Sequence, residues 1–289
     1  MYSVYKIQCQ SQIETACEGE GYNPDMDAET SAALVAINRT FYEQFGDSFA
    51  ATRQRVQPGI LRLLNTYPVH GHWLDLGFGN GAVLNAWVEK SEHGSYTGLD
   101  FSHALMREAE TRAEEVRQAG HTVWLAQADI SGGEWGEAVG ALQVQDPAFP
   151  AQFDGVMSFA SIHHIPGREN RKAFFTQVNQ VLKPGGLVFL SCWQFQHSPK
   201  LVSRIQPWSL VNIDPANLEE GDTLLDWRAA AASLPGQTGL RYVHLFSQSE
   251  LDQLAQDCGF RVVETFESDG VGGRLGLYQV WRKPDHQIQ

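Results

Sequence analysis

One stretch constrains the fold of this chain more than any other. The apolar segment His72-Trp73-Leu74-Asp75-Leu76 runs directly into three glycines at alternate positions, Gly77, Gly79 and Gly81. An apolar helical pattern then begins at Ala82. Glycines permit a sharp turn and let the main chain approach a ligand, because no Cβ intrudes. The segment therefore predicts a strand, a glycine loop and a helix, the arrangement that cradles nucleotide-like ligands in α/β proteins.

The loop fits two kinds of ligand. The carboxylate of Asp75 would repel a pyrophosphate and attract a cationic amino acid. This favours S-adenosylmethionine, whose methionine portion carries an ammonium group and a sulfonium. The spacing Gly77-x-Gly79-x-x-Ala82 also satisfies a loose dinucleotide fingerprint, which would make the chain an oxidoreductase. Asp100 follows at a suitable distance for a ribose contact in both cases, so the loop alone leaves both ligands open.

The composition favours a globular protein with a sizeable core, since 43% of the 289 residues are hydrophobic and 19% are charged. No apolar run is long enough to cross a bilayer, and the first ten residues lack the features of a secretory signal. The four cysteines form no C-x-x-C pair, which predicts reduced thiols and a cytoplasmic location. The formal net charge of −13 weighs against a polyanionic partner without excluding one.

Three regions follow one another along the chain. Residues 1–30 carry acidic side chains without a clear period, which predicts a flexible acidic arm. Residues 31–68 have apolar side chains at helical spacing and are predicted to form an N-terminal helical cap. From residue 69 to residue 289, strand and helix patterns alternate, as in a parallel sheet with helices on both faces. A long connection at 131–152 and a lid-like insertion at about 194–240 interrupt this order.

The predicted strands are short apolar segments. Five of them precede the insertion, and two more form a closing hairpin: 73–76, 95–99, 123–126, 153–159, 186–192, 260–266 and 275–281. Ser102 and Ser247 are candidate N-caps of the helices that follow them. A final hairpin after five parallel strands is unlike the plain dinucleotide-binding fold.

Several motifs follow the glycine loop in a fixed order: Asp100, Asp129, Phe153-Asp154 and Lys183-Pro184-Gly185-Gly186. Together with Asp75-x-Gly77-x-Gly79-x-Gly81, they resemble the class I S-adenosylmethionine-dependent methyltransferases over roughly residues 70–192 and the closing strands. The resemblance implies a Rossmann-like methyltransferase fold, with a mostly parallel seven-stranded sheet, an antiparallel last strand and helices on both faces. It also implies S-adenosylmethionine as the cofactor and methyl transfer to an oxygen or nitrogen acceptor.

A narrower likeness extends over the chain from about residue 35. The matching segments are similar to tRNA wobble-uridine carboxymethyl methyltransferases: Phe41-Tyr42 through Phe49, Thr52-Arg53, Pro58, His163-His164, Cys192-Trp193 and Arg241-Tyr242-x-His244-Leu245-Phe246. Ile165 stands where those enzymes often carry tryptophan, and the acidic charge suits a tRNA enzyme poorly. The expected acceptor is either a modified tRNA uridine or a small metabolite. A small activating subunit is a further candidate partner. The alternative of another class is a non-catalytic protein that binds S-adenosylmethionine.

The resemblance implies a set of residues around the cofactor. Asp75 and the glycine loop would hold the methionine portion, and Asp100 would accept hydrogen bonds from the ribose hydroxyls. Asp129 and Ile130 would face the adenine. The remaining cofactor-binding positions implied are Phe101, Phe159 near the sulfonium end, and Tyr42 and Arg53 closing from the N-terminal helix.

His163 and His164 are the strongest candidates for a chemical role, because they follow a predicted central strand and histidine has a reference pKa near neutrality. One of them could act as a general base on a hydroxyl or amine acceptor. No third ligand occurs at suitable spacing, so no metal site is expected. A carboxylate acceptor would need no base, and Arg241, Tyr242 or His244 would instead position it.

Overall fold

The computed structural model describes residues 26–51, 55–132, 134–228 and 238–285. Most of the predicted acidic arm and the predicted site residue Arg53 lie outside the described residues. Helix α1 (Ala28–Ala51) begins inside the segment predicted as the arm. Asp27 explains this earlier start, because its carboxylate accepts hydrogen bonds from the main-chain N–H and the hydroxyl of Thr30, at 2.7 and 3.0 Å.

A seven-stranded sheet forms the centre of the molecule, in the spatial order β3-β2-β1-β4-β5-β10-β9. Its strands are β1 (Gly71–Leu76), β2 (Gly94–Asp100), β3 (Thr122–Gln127), β4 (Phe153–Phe159), β5 (Leu182–Trp193), β9 (Arg261–Ser268) and β10 (Gly276–Arg282). The pairs among the first five strands are parallel, whereas β10 runs antiparallel to both β5 and β9. This confirms the predicted Rossmann-like sheet and places its antiparallel last strand between β5 and β9.

Helices cover both faces of this sheet. One face packs against α5 (Trp135–Gln145), α6 (Arg168–Val181) and α8 (Gln248–Asp257), and the other against α2 (Pro58–Thr66), α3 (Ala82–Val88) and α4 (His103–Gln118). On β10, the neighbouring residues Val280 and Trp281 belong to the two opposite cores, as the alternation of side chains along a strand requires. The helix caps at Ser102 and Ser247 are confirmed, since each hydroxyl accepts a main-chain N–H three residues on.

Helix α5 corrects the prediction of a long connection at 131–152. Its two buried residues, Trp135 and Val139, are four positions apart and face the core beside α6. Gly136 and Gly140 interrupt the apolar pattern between and after them. The helix is therefore held by tertiary packing more than by its own sequence preference.

The insertion forms a second, smaller sheet in the order β6-β7-β8, with β6 (Ile205–Gln206), β7 (Asp222–Arg228) and β8 (Thr238–His244), after the short helix α7 (Pro199–Val202). Strand β8 continues past residue 240, so the insertion and the segment after it are one structural unit. Helix α1 lies directly on β8: a Cβ at Gly239 would lie 2.6 Å from the ring of Phe41. None of the helices in the described residues combines the length and the apolar character of a membrane-spanning segment.

Candidate functional site

The carboxyl ends of the parallel strands border a cavity of about 540 Å³, the place where open α/β sheets bind ligands. Helix α1 and the small sheet complete its walls. Twelve of the predicted site residues line this cavity: Tyr42, Asp75, Gly77, Gly79, Asp100, Phe101, Asp129, Ile130, Phe159, His163, His164 and Arg241. Gly81 and His244 are not among the lining residues.

The glycine loop forms the floor of the cavity, and its three glycines all have left-handed φ angles. A Cβ at Gly79 would meet no protein atom within 4 Å, so the main chain here is open to the cavity. A Cβ at Gly77 would collide with the Ser161 hydroxyl at 2.3 Å. At Gly81 it would lie 3.2 Å from Ala109 on α4, so this glycine allows close packing rather than ligand contact.

Asp75 is the last residue but one of β1, and only 2% of its surface is exposed. Its Oδ2 accepts a hydrogen bond of 2.5 Å from the hydroxyl of Tyr96 on β2. Burial raises the pKa of Asp75 to about 7; the Tyr96 hydrogen bond acts against this rise, and the charge of Asp100 adds to it. No cation among the described residues forms an ion pair with this carboxylate. Asp75 is therefore a desolvated acid that faces a cavity and has only a neutral partner.

Asp100 lies at the end of β2 and joins the glycine loop to the next helix. Its Oδ2 accepts from the main-chain N–H of Gly79 and its Oδ1 from that of Ser102, both at 2.9 Å. Burial raises the pKa of Asp100 to about 6, although these main-chain hydrogen bonds act to lower it. The carboxylate thus fixes the shape of the loop while it also borders the cavity.

Asp129 follows β3 and has partners on both oxygens. Ser131 donates to Oδ1 from its main-chain N–H at 2.9 Å and from its hydroxyl at 2.5 Å. Arg39 on α1 forms an ion pair of 2.7 Å with Oδ2. Burial alone would raise the pKa of Asp129, but the hydrogen bonds from Ser131 and Arg39 outweigh burial and lower it. The adjacent Ile130 is buried and lines the cavity, so an apolar surface stands beside an ionised carboxylate.

The two histidines occupy a short helical turn after β4 (Ile162–His164). Nδ1 of His164 lies 2.9 Å from the main-chain oxygen of Tyr242, which can only accept, so Nδ1 carries the proton. Nε2 then accepts from the hydroxyl of Tyr42 at 3.2 Å. His163 is 1% exposed, and its ring stacks on Trp193 with 5.6 Å between centroids. Both imidazoles are therefore held in fixed orientations by α1, β5 and β8.

Arg241 places a buried cation in the cavity wall. Only 2% of its surface is exposed, and its guanidinium carbon lies 4.8 to 5.3 Å from the ring centroids of Phe41, Phe49 and Trp193. Such cation–π contacts hold the guanidinium in place in the cavity wall. The guanidinium is thus suited to an anionic group of a ligand.

His244 belongs to a buried ionic network instead of the cavity. Its two ring nitrogens lie 2.7 Å from Asp222 and 2.9 Å from Glu250, and Arg171 pairs with Glu219 and Glu250. Burial and Arg171 would lower the pKa of His244, but the two carboxylate hydrogen bonds raise it overall. The network ties β7 and β8 to α6 and α8. The predicted catalytic role of His244 finds no contact with the cavity to support it.

Two groups of described residues have the composition of a metal site. Glu219, Asp222 and His244 are already paired within the ionic network. His70, Glu92 and His93 lie at the amino end of the sheet, away from the cavity. There His70 Nδ1 accepts a main-chain N–H at 3.2 Å, whereas a metal-bound histidine normally donates from its second nitrogen.

Some residues that line the cavity, or that contact a residue lining it, were not predicted from the sequence. Asn38 binds both main-chain groups of Tyr242, accepting its N–H at 2.8 Å and donating to its oxygen at 3.2 Å. Arg39 holds Asp129, and Tyr96 holds Asp75. The helical pattern placed the two α1 residues on a helix, but nothing in a single sequence pairs positions that are 90 or 204 residues apart.

A seven-stranded sheet of this order, with a glycine loop and an acidic residue at the end of β1, defines the Rossmann-like class of cofactor-binding α/β proteins. A family model of a methyltransferase domain matches residues 49–265. The chain belongs to this methyltransferase family, and the predicted S-adenosylmethionine-dependent methyltransferase class is confirmed. This decides between the two ligands that the glycine loop left open.

The chain is also similar to curated proteins. A protein of Encephalitozoon cuniculi, named as a methyltransferase, is 26% identical over 78% of this chain and 87% of its own length. A tRNA (carboxymethyluridine(34)-5-O)-methyltransferase of Arabidopsis thaliana is 25% identical over 68% of this chain, and its counterpart from Macaca fascicularis, ALKBH8, is 25% identical over 66%. The matches span only 45% and 24% of the length of these two tRNA methyltransferases.

Solved structures share the fold. A methyltransferase from Methanosarcina mazei superposes with a TM-score of 0.54 at 23% identity, covering 80% of this chain and 99% of that one. DhpI in complex with S-adenosylhomocysteine (SAH) superposes with a TM-score of 0.55 at 17% identity, covering 89% of this chain and 100% of that one. At these identities the likeness concerns the fold alone.

Proposed function

We propose that the cavity holds S-adenosylmethionine with its ammonium group against Asp75. The observation that carries this proposal is the buried Asp75 carboxylate, which faces the cavity beside the open main chain of Gly79 and has no cationic partner among the described residues. Desolvation makes such a carboxylate costly unless a cation approaches it. Asp100 would then accept from the ribose hydroxyls, and Ile130 and Asp129 would border the adenine.

For the acceptor, we propose a carboxylate oxygen. Arg241 lines the same cavity and offers a guanidinium fork, which matches the geometry of a carboxylate. When bound, S-adenosylmethionine supplies a methyl group on a sulfonium that carries its own leaving group. Transfer to a carboxylate oxygen would form a carbon–oxygen bond as the carbon–sulfur bond breaks, and would give a methyl ester and SAH. The acceptor is already an anion, so no protein group has to remove a proton.

In this mechanism the side chains of the cavity align and enclose the reactants. Arg241 orients the acceptor, while Trp193 and the two fixed imidazoles shape the wall beside it. His163 and His164 are thus proposed as positioning residues rather than as bases. This fits the hydrogen bonds of His164, which the main-chain oxygen of Tyr242 and the hydroxyl of Tyr42 hold at both ring nitrogens.

The leading acceptor is a carboxymethyl group on a tRNA uridine. Its support is the likeness to the two tRNA methyltransferases of Arabidopsis and Macaca, over about two thirds of this chain. A small carboxylic acid is the second candidate. Its support is the formal net charge of −13, which gives no general attraction to a polyanion.

The test is transfer of a labelled methyl group from S-adenosylmethionine to total tRNA, compared with a metabolite extract of the same cells. Label in the tRNA supports the leading acceptor, and label in the extract supports the second. In both cases mild alkali should release the label as methanol, because the product is an ester. Alkali-stable label would contradict the carboxylate proposal. Asp75→Asn is the control, and it should abolish the transfer.

A second experiment examines Arg241. Arg241→Lys keeps the charge but loses the fork, so we expect the KM for the acceptor to rise roughly tenfold, the value of one charge-assisted hydrogen bond. The affinity for SAH should stay within about twofold of the wild type, because Arg241 is proposed to hold the acceptor only. An unchanged KM, or an equal loss of SAH binding, would contradict this assignment.

A further inference from the structure

Tyr96 is a buried tyrosine that contacts Asp75, the residue proposed to bind the ammonium group of the methyl donor. It lies on β2, its surface is fully buried, and it is not one of the residues that line the cavity. Its ring packs against Trp87 on α3, with 5.7 Å between the ring centroids. Its hydroxyl donates to Oδ2 of Asp75 at 2.5 Å. The ring is therefore fixed by packing, and its one polar atom is aimed at the carboxylate.

The surroundings of Asp75 make this contact important. The register partners of Asp75 are Gly98 on β2 and Met157 on β4, and neither carries a charge. The α3 residues that line the cavity are Ala82 and Val83, and neither carries a charge. The charged group that acts on Asp75 is Asp100, and it repels. Among the described residues, only the Tyr96 hydroxyl donates a hydrogen bond to the Asp75 side chain.

We propose that Tyr96 is a positioning residue for the methyl donor: its hydroxyl holds the Asp75 carboxylate in the ionised form and turned toward the cavity. This rests on the proposed function, since the ligand attracted is the cationic methionine portion of S-adenosylmethionine. A protonated or rotated Asp75 would lose most of its attraction for an ammonium group.

The direction of the pH effect follows from the contact. The pKa of Asp75 is about 7 although Tyr96 acts to lower it. Removing the hydroxyl therefore moves the pKa of Asp75 further upward, and more of the protein carries a neutral Asp75 at any pH near neutrality. As the pH is lowered, the protein without this hydroxyl should therefore lose its affinity for an ammonium ligand at a higher pH than the wild type does.

The experiment measures the Kd of SAH by calorimetry between pH 5.5 and 7.5, for the wild type and for Tyr96→Phe. In this range the ligand's amino group stays mostly protonated. A shift of one pKa unit makes binding about tenfold weaker at the acid end, and the gap should narrow as the pH rises. An unchanged Kd, or the same loss at every pH, would overturn the proposal, because a merely structural change would act equally at all pH values.

Tyr67→Phe is the matched control. It removes another tyrosine–carboxylate hydrogen bond, of 2.7 Å to Glu264, away from the cavity. Its SAH affinity should follow the wild type at every pH. In an Asp75→Asn background, Tyr96→Phe should have little further effect, because the two side chains act as a unit. Additive losses in that background would count against the proposal.

A second variant keeps the test valid if Tyr96→Phe does not fold. A fluorinated tyrosine at position 96 is nearly the same size and a stronger proton donor, so the acid limb of SAH binding should move to lower pH. Movement upward or none at all would overturn the proposal. Failure of the wild type to bind SAH at any pH would instead contradict the proposed function, so the two failures are distinguishable.

Discussion

Asp75 and Asp100 are acids whose pKa values the fold has raised, from an ordinary 3.8 to about 7 and about 6. Between about pH 4 and 7 the folded protein therefore retains protons that the unfolded chain has already released. Stability consequently falls as the pH rises through this window in the absence of a ligand. A cationic ligand beside Asp75 opposes this loss, since it favours the ionised carboxylate that folding alone disfavours.

We therefore expect SAH to raise the melting temperature more at pH 7.5 than at pH 5.5. Differential scanning fluorimetry with a saturating concentration of SAH would measure the increase in melting temperature at each pH. Asp75→Asn cannot ionise and should show a small increment that does not vary with pH. Equal increments in the wild type at both pH values would contradict the electrostatic role of Asp75.

Gly79 and Gly120 offer a second comparison between single residues. Both have positive φ angles, of 60° and 93°, and a Cβ at either would meet no protein atom within 4 Å. Gly79→Ala and Gly120→Ala should each cost about 1–2 kcal/mol of stability through backbone strain. Only the first places its methyl group in the cavity, so only Gly79→Ala should also weaken SAH binding. Equal affinities in a binding titration would show that the ligand does not approach this loop.

At the scale of secondary-structure elements, the ionic network decides how the small sheet is attached. His244 lies between Asp222 at the start of β7 and Glu250 on α8, and Arg171 on α6 joins the same group. Because the side chains of His244, Asp222 and Arg171 are buried, each depends on its partners in place of water. The network therefore fixes the small sheet to two helices of the main domain.

His244→Gln should destabilise the protein by roughly 3–5 kcal/mol, because it leaves a buried carboxylate without its cation. The raised pKa of His244 sets the sign with pH: its stabilisation is full below its ordinary value of 6.5 and is lost as the pH rises through the higher folded value. The stability gap to the wild type, measured by urea unfolding, should thus be larger at pH 6 than at pH 9.

The exposed pair of Arg274 and Glu267 is the control for this experiment. Arg274→Gln should cost less than about 1 kcal/mol, as surface ion pairs do. If His244→Gln costs as little stability as Arg274→Gln, or if its stability loss grows at alkaline pH, then a protonated His244 does not stabilise the network as described.

The elements could be predicted where their sequence signals are local. Strand β4 was predicted with its true bounds, and α4 and α8 begin directly after their predicted caps, Ser102 and Ser247. Helix α5 could not, because two glycines interrupt its pattern and only two of its side chains are buried. Strand β8 was divided by the predicted boundary at residue 240, since a short antiparallel sheet has no periodic signal that continues across its loops.

The residues of the site could likewise be predicted where a local sequence signal marks the end of a strand. Residues at strand ends, such as Asp100 and Asp129, fall together because parallel strands present their carboxyl ends on one edge. The assignment of His244 rested on a resemblance between segments, and a strand turns alternate residues to opposite sides. Arg241 therefore faces the cavity while His244 faces the network. Only a structure could separate the two.

For the molecule as a whole, the cavity lies at one edge of the sheet. This position determines which main-chain amides a bound ligand should protect from exchange. We expect SAH to slow amide hydrogen exchange in the loops after β1, β2 and β3, which border the cavity. Loops at the opposite edge, such as the segment from His70 to Gly71 and the turn at Gly120, should exchange as before. Uniform protection on both edges in a mass-spectrometric experiment would place the ligand elsewhere or indicate a global change.

The amide of Asn38 has a consequence for the passage of reactants. It hydrogen-bonds to both the main-chain N–H and the main-chain oxygen of Tyr242, as a neighbouring strand would. These two bonds join α1 to β8 in the wall of the cavity. Separating the two elements there would break both hydrogen bonds and leave the buried main-chain N–H of Tyr242 without its acceptor. Methyl donor and product must be exchanged in every catalytic cycle. We therefore expect their route to lie away from this contact, and we expect α1 and β8 to move together if the cavity opens.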